Sequence, residues 1–268
     1  MRVSPELIAS DLDGTLLGPD GLASPRTLAA LERVSAARIP FVMVTGRPIR
    51  WLPEVLEQTG VLGPVVCANG AVIYDPETDS ILAESPLDAD VVGAAVAQLR
   101  REVPGVVCAV EIEQGRGMLR ESGYRTVRND INGVVVTPEE LIKASAVKLL
   151  ARLPDGVAED FFARCTSLLD GAAQVTRSSA EALVEISAAG VTKASGLAWL
   201  AAREGVDPAQ VLAYGDMPND IPMLSWAGRG VAVGNAHPMV LEIADEITGA
   251  HHEDGLASHL EKTIAVRR

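Results

Sequence analysis

Short apolar segments alternate with longer segments of helical period along most of the chain, and this alternation restricts the fold more than any other feature. Residues 7–9 and 41–44 predict buried strands, and residues 24–37 predict a helix between them. Ser24 suits the N-cap of this helix, and Pro25 suits its first position. Strands that are joined through helices pair in parallel, so we predict the α/β class, with a mainly parallel sheet covered by helices.

The pattern changes near Pro86 and returns after Gly190. Between these points we predict helices over residues 88–102 and 155–169, a short helix that opens at Thr137, and strands near 106–113, 117–120, 146–153, 174–177 and 183–186. After Gly190, helices predicted at 193–204, 218–226 and 237–244 alternate with strands at 211–214 and 230–233. We therefore predict a discontinuous core of residues 1–83 and 185–268, and an inserted domain of residues 84–184.

The composition excludes several functional classes. A net charge of -13 and an aromatic content of 3% argue against a nucleic-acid partner, because a protein that binds the phosphate backbone needs a basic face. Cys67, Cys108 and Cys165 lie too far apart to suggest a disulfide framework or a zinc site. The sequence has neither a leader-like amino terminus nor an apolar run of about 18 residues, so we predict a cytoplasmic protein without a membrane partner. No pattern predicts an oligomeric state.

Two carboxylates follow the first predicted strand in the segment Ile-Ala-Ser-Asp-Leu-Asp-Gly-Thr. Asp11 and Asp13 are two residues apart, so on an extended chain both would face the same side at the carboxyl end of the strand. Ligands of open α/β sheets bind at that edge. Two close carboxylates repel each other unless a cation neutralises them, and Mg²⁺ prefers such oxygen ligands. The alternative is an ordinary strand end with turn-forming aspartates.

Polar residues also follow the second strand and open a later helix. Thr45, Gly46 and Arg47 supply a hydroxyl, an accessible backbone N–H and a guanidinium, although this segment alone is typical of an ordinary turn. Lys193 lies in the first turn of a predicted helix, where the helix dipole disfavours a cation. A bound anion would explain it, since the helix N-terminus also attracts anions. The alternative is a lysine that points to solvent.

A further set of polar residues, Asp216, Asn219 and Asp220, lies between a predicted strand and a helix. Helix capping explains each acid individually. It does not explain why they converge on a strand end that is expected to lie near Asp11. Four carboxylates, a hydroxyl, a lysine and helix N-termini at one edge of the sheet together predict a site for magnesium and phosphate.

The segments DLDGT, VTGR, VTKASGL and GDMPND, in this order, resemble the four motifs of the haloacid dehalogenase superfamily of phosphohydrolases. The long insert, with CANGA before it and GVAVGNAHPMV after it, is similar to the Cof-type subfamily with a large α/β cap. The resemblance implies a Rossmann-like core with an inserted cap. It also implies a Mg²⁺-dependent phosphohydrolase of small phosphorylated metabolites, most commonly sugar phosphates, that works through an aspartyl-phosphate. Ala194 departs from the glycine that usually follows the lysine.

The resemblance also implies roles for individual residues. Asp11 is expected to be the nucleophile, and Asp13 the acid that protonates the leaving group and then the base that activates water. Asn219 and Asp220 are expected to hold metal-bound water or to orient Lys193. The phosphate-binding residues are expected to be Thr45, Gly46, Lys193 and Asn219, and the metal site is expected to comprise Asp11, Asp13 (through its backbone carbonyl), Asp216 and Asp220.

Four further residues are candidates for contacts with the rest of the substrate: Arg47, Tyr124, Arg125 and Arg128. The alternative for the last three is an ordinary surface position. Asn69-Gly70 predicts a tight turn. A phosphotransferase or phosphomutase on sugar phosphates remains an alternative function, because the outcome depends on whether water or an alcohol reaches the aspartyl-phosphate. A non-catalytic sensor of a phosphorylated ligand is a third hypothesis, and the presence of both Asp11 and Asp13 argues against it.

Overall fold

The computed structural model describes residues 4–126, 133–177, 179 and 181–265, and the strands in this part of the chain form three sheets. The strands are β1 (Leu7–Ser10), β2 (Phe41–Met43), β3 (Val65–Cys67), β4 (Val72–Asp75), β5 (Ser80–Glu84), β6 (Val107–Ile112), β7 (Gly117–Arg120), β8 (Gly133–Val135), β9 (Lys148–Arg152), β10 (Ala173–Thr176), β11 (Leu183–Ala188), β12 (Val211–Gly215), β13 (Arg229–Ala232) and β14 (Glu246–Ile247). The α-helices are α1 (Pro25–Ala36), α2 (Pro53–Thr59), α3 (Ala89–Glu102), α4 (Pro138–Leu141), α5 (Ala158–Leu168), α6 (Lys193–Glu204), α7 (Ile221–Trp226), α8 (Pro238–Ile243) and α9 (Gly255–Ala265).

The first sheet is parallel and has the strand order β14-β13-β12-β1-β2. Strand β1 lies inside the sheet, between β12 and β2, and is buried on both faces, which is why its first three residues form a continuous apolar run. Ser10, the last residue of β1, pairs with Tyr214 of β12 and Met43 of β2. The residues that follow these three strands therefore meet at one edge of the sheet. The predicted α/β class with a parallel core sheet is confirmed.

The second sheet has the order β10-β11-β9-β6-β7-β8, and all of its pairs are antiparallel except β7 with β8. One face is apolar and packs against α3 and α5, as Cys108, Leu149 and Val184 illustrate. Because side chains alternate along a strand, the neighbouring residues Glu111, Lys148 and Glu185 belong to the opposite face. We call residues 89–188, which build this sheet and its helices, the cap.

The predicted boundary after residue 184 falls inside β11, whose residues pair with β9 and β10 throughout. We therefore propose that the cap ends at Ala188, because the ladder continues to that residue. The third sheet, β3-β4-β5, is antiparallel and continues from the core through a bridge between Val44 and Val66. The division into two domains remains a prediction.

The helix predicted over residues 218–226 is divided in the structure. Pro218–Asp220 form a 3₁₀ turn, and the α-helix begins only at Ile221. Pro222 has no N–H to donate to the carbonyl of Pro218, so an α-helical turn is not completed there. Helix α9, which packs against α1, and the short strands β8 and β14 are not among the predicted elements. Within the described residues, no helix combines the length and apolarity needed to cross a membrane.

Candidate active site

Three buried aspartates converge at the carboxyl edge of the core sheet. Asp11 directly follows β1 and Asp216 directly follows β12, while Asp220 closes the 3₁₀ turn before α7. One carboxylate oxygen from each of the three lies within 4.8 Å of the others. The convergence follows from the topology, because β1 and β12 are adjacent parallel strands that end at the same level.

Lys193, the first residue of α6, lies between two of these carboxylates. Its Nζ is 2.5 Å from Asp11 Oδ1 and 2.6 Å from Asp220 Oδ1, and the side chain is 1% exposed. The hydroxyl of Thr192 caps α6 and so fixes the point from which Lys193 projects. The lysine therefore does not point to solvent, and the alternative stated for it is wrong.

The charges of this cluster do not balance. Three buried carboxyl groups face one ammonium group. When all three are ionised, two negative charges remain unmatched, and one divalent cation would balance them. Burial, together with the charge of Asp220, raises the pKa of Asp216 to about 7. Burial also raises the pKa of Asp11 well above its ordinary value, against the opposing effect of Lys193. For Lys193, burial alone would lower the pKa, but Asp11 and Asp220 outweigh it and keep the pKa raised.

The donor set fits a hard divalent cation such as Mg²⁺, which prefers carboxylate oxygens. Asp216 is held by the hydroxyl of Thr15, which donates to Oδ1 at 3.3 Å. Gly14 allows this approach, since a Cβ at that position would lie 2.4 Å from Asp216 Oδ2. Its φ of +85° also belongs to the left-handed region that favours glycine. The glycine of the DLDGT segment thus keeps space for the carboxylate of Asp216.

Asp220 is already fully engaged within the protein. Its Oδ2 accepts the backbone N–H groups of Asp216 and Met217 at 3.1 and 3.0 Å, and its Oδ1 contacts Lys193. Of the two roles expected for it, the contacts favour the orientation of Lys193. We keep its role in holding metal-bound water as a prediction.

Asp13 lies further out than Asp11 and pairs with Arg47. Its side chain is 57% exposed, whereas that of Arg47 is 4% exposed. The Nε of Arg47 donates to Asp13 Oδ2 at 2.8 Å, and a terminal nitrogen contacts the other carboxylate oxygen. The Oγ1 of Thr45 accepts the backbone N–H of Arg47 at 3.0 Å. Arg47 thus holds Asp13, the predicted acid and base, and it also lines the cavity between core and cap, so the substrate contact expected for it stays a prediction.

A cavity of about 370 Å³ lies between this edge of the core and the open face of the cap sheet. Its core side includes Asp11, Asp13, Gly46, Arg47, Lys193 and Asn219, and its cap side includes Glu111, Met118, Tyr124, Lys148, Leu150 and Glu185. Of the cap residues proposed from the sequence, Tyr124 is buried and lines this cavity, whereas Arg125 is exposed. Arg128 lies outside the described residues.

The polar residues at the site that were not among the predicted ones include Lys148, Glu185 and Asn69. Lys148 and Glu185 interrupt apolar runs in β9 and β11, and that interruption is the sequence signal that could have identified them. Asn69 lies in the predicted turn, where residues 68–70 form a 3₁₀ turn. Its side chain is nevertheless buried and accepts the amide N–H of Asn219 at 3.1 Å.

Comparison with known proteins identifies the family. The sequence model of the haloacid dehalogenase-like hydrolases matches residues 8–260. The chain belongs to this family. The predicted superfamily membership is therefore confirmed, and so is the prediction of an enzyme of the haloacid dehalogenase phosphatase type, because the curated relatives are phosphatases.

One relative, the 5-amino-6-(5-phospho-D-ribitylamino)uracil phosphatase YitU of Bacillus subtilis, is 32% identical over 271 residues, which cover 99% of this chain and 100% of that protein. The HMP-PP phosphatase of Serratia proteamaculans is 27% identical over 275 residues, with 95% and 94% covered. Among solved structures, the phosphatase BT1666 of Bacteroides thetaiotaomicron has a TM-score of 0.79 at 26% identity, covering 96% of this chain and 94% of that one. The subclass IIB sugar phosphatase BT4131 has a TM-score of 0.83 at 22% identity, covering 96% and 98%, and shares the fold.

Proposed function

We propose that this protein is a Mg²⁺-dependent phosphatase that removes the phosphoryl group from a small phosphorylated metabolite through an aspartyl-phosphate at Asp11. One observation carries the proposal. The carboxylate of Asp11 is buried beside the ammonium group of Lys193, and both line a cavity that the cap closes from the other side. This arrangement presents a nucleophile and a cation to the same phosphoryl group.

Asp11 attacks the phosphorus atom, and the bond from phosphorus to the leaving oxygen breaks as the new bond forms. The negative charge of a phosphate dianion opposes this attack. The ammonium group of Lys193, whose Nζ lies 2.5 Å from Asp11 Oδ1, offsets part of this repulsion. A Mg²⁺ ion held by Asp11 and Asp216 would supply further charge neutralisation. Thr45 and Asn219 are proposed to hold the phosphoryl oxygens, as the family resemblance implies.

Asp13 completes both halves of the reaction as the proton carrier. It gives its proton to the leaving oxygen in the first half. In the second half it takes a proton from water, which attacks phosphorus and releases Asp11 as a carboxylate. The pairing with Arg47 holds the carboxylate at the cavity edge, a position from which it can reach both the leaving group and the incoming water.

Sugar phosphates and related polyol phosphates are the proposed substrate class. The cavity of about 370 Å³ admits a small metabolite, and its cap side combines apolar residues such as Met118 and Leu150 with charged ones. YitU is a phosphatase of a ribityl phosphate and BT4131 of a sugar phosphate, which supports the same class for this chain.

The proposal is tested by phosphate release from a panel of sugar phosphates, a ribitylaminouracil phosphate, nucleotides and phosphorylated cofactors, with Mg²⁺ or EDTA. We expect multiple turnover that requires Mg²⁺, is abolished in Asp11→Asn and is strongly reduced in Asp13→Asn. Release that is unchanged in Asp11→Asn would contradict the proposal. Transfer of the phosphoryl group to an added sugar, in preference to water, would favour the phosphotransferase alternative. Binding without any turnover would favour the sensor.

A further inference from the structure

The cap contributes a buried charge pair to the phosphate site of the core. Lys148 is 2% exposed, and its Nζ donates to the carbonyl oxygen of Gly46 at 2.7 Å and to Glu185 Oε1 at 2.9 Å. Gly46 lies in the loop that follows β2, next to Thr45. A cap side chain is thus bonded to the backbone of the loop that is proposed to hold the phosphoryl group.

The carboxylate of Glu185 fixes the orientation of two amide side chains. Its Oε2 accepts the Nδ2 of Asn69 at 2.6 Å, and because an ionised carboxylate is only an acceptor, the amide of Asn69 must present its nitrogen there. The Oδ1 of Asn69 then faces Asn219 and accepts its Nδ2 at 3.1 Å. The Oδ1 of Asn219 is buried and has no partner among the described residues.

Gly46 makes this close approach of the cap possible. A Cβ at residue 46 would lie 3.1 Å from Asn69 Oδ1 and 3.3 Å from Glu185 Oε2, which is closer than ordinary van der Waals contact. The absence of a side chain therefore lets the cap carboxylate reach the loop. Lys148 thus bonds directly to the loop at Gly46, whereas Glu185 reaches the amide of Asn219 through Asn69.

Other ion pairs also join the cap to the core but do not contact the phosphate site. Arg116 of the cap contacts Asp79 of the β4–β5 hairpin at 2.7 Å, where both side chains are well exposed. Removal of this pair would weaken the attachment of the cap without disturbing Gly46 or Asn219. It provides the matched control for an effect that depends on the buried pair.

We propose that Lys148 and Glu185 are positioning residues, which couple closure of the cap to the geometry of the phosphate site through Gly46 and the Asn69–Asn219 amide pair. The proposal rests on the proposed phosphatase function. Lys148 sets the loop through the Gly46 carbonyl, and Glu185 sets the direction of the Asn219 amide. With the cap open, neither constraint is present, so the site is fully ordered only when the cap excludes water.

Kinetics with p-nitrophenyl phosphate and Mg²⁺ test the proposal in Lys148→Met, Glu185→Gln and Asn69→Gly. We expect kcat to fall by about 100-fold in each, with KM changed less than about threefold, because a misplaced site loses rate before affinity. Asn69→Gly tolerates the left-handed backbone of residue 69 and keeps the Lys148–Glu185 pair, so it remains informative if a change in the buried pair prevents folding. Asp79→Asn is expected to keep the wild-type kcat.

Three kinetic results would overturn the proposal. The first is a wild-type kcat in Asn69→Gly and in the other two variants. The second is an equal loss of kcat in Asp79→Asn, and the third is a change that is confined to KM. A second measurement does not depend on activity. The side-chain amide resonances of Asn219, recorded by ¹⁵N NMR without substrate, should shift in Glu185→Gln and stay unchanged in Asp79→Asn. If the wild type hydrolyses nothing, the proposed function fails, and these resonances still decide the positioning role. Unshifted resonances in Glu185→Gln would refute that role.

Discussion

Replacement of Lys193 by Met gives the sharpest test of the electrostatics of the site. The substitution keeps the length of the side chain but leaves Asp11, Asp216 and Asp220 buried without their ammonium partner. Removal of one partner from a buried ion pair costs about 3–5 kcal/mol, because the remaining charge is left uncompensated. We therefore expect the metal-free variant to lose about this much free energy of unfolding at pH 8.

The loss should shrink as the pH falls. The pKa of Asp216 is already raised to about 7. Loss of Lys193 raises the pKa values of both Asp216 and Asp11 further, so protons replace the missing cation in the folded protein. If the carboxyl pKa values rise by one or two units, the loss at pH 5 is smaller than at pH 8 by about 1–3 kcal/mol. The sign is fixed, because a folded state that holds extra protons loses stability as the pH rises.

Urea unfolding in EDTA at the two pH values measures both effects, with Lys143→Met as the control at an exposed lysine. The control should change the free energy of unfolding by less than about 0.5 kcal/mol. Added Mg²⁺ should restore part of the stability of Lys193→Met, since it offers the carboxylates another cation. A loss below about 1 kcal/mol at pH 8, or one that is independent of pH, would refute the charge imbalance that we infer.

Two further predictions concern Asp216, which we propose as a metal ligand. Gly14→Ala places a Cβ 2.4 Å from Asp216 Oδ2 and should weaken Mg²⁺ binding, measured by calorimetry, by at least about tenfold. Gly171→Ala is the control, because Gly171 is also left-handed but a Cβ there would have nothing within 4 Å. It should cost only about 1 kcal/mol of backbone strain and leave Mg²⁺ binding intact. Equal Mg²⁺ affinity in the two variants would contradict the role of Gly14. Because the pKa of Asp216 is raised to about 7, the metal-free wild type should melt at progressively lower temperature from pH 4 to pH 7. In Asp216→Asn, the melting temperature should depend less on pH. An unchanged pH dependence would show that other groups cause it.

The sequence allows the core of the site to be predicted because its residues follow strands. Asp11 and Asp216 come directly after the strands β1 and β12, and parallel strands that lie side by side end at one edge, so their convergence follows from topology. Lys193 is identifiable because a lysine in the first turn of a helix opposes the helix dipole. These local patterns carry information about the site.

The contribution of the cap could not be predicted in the same way. The alternation in β9 and β11 shows that Lys148 and Glu185 lie on the face opposite the helices, but not that this face meets the core. That contact depends on how the two sheets dock, which no local pattern encodes. Asn69 was missed for a similar reason, because Asn-Gly is a strong turn signal that masks the contacts of the asparagine side chain.

The most direct test of the proposed mechanism is to trap the phosphoryl group on Asp11. In Asp13→Asn, p-nitrophenyl phosphate should still transfer its phosphoryl group, because nitrophenolate leaves without a proton, whereas water is no longer activated. Rapid acid quench and mass spectrometry of the digested protein should then find one phosphoryl group on the peptide that contains Asp11, together with a burst of one nitrophenolate per site. A phosphoryl group on another residue, or turnover with neither burst nor modified peptide, would contradict the account.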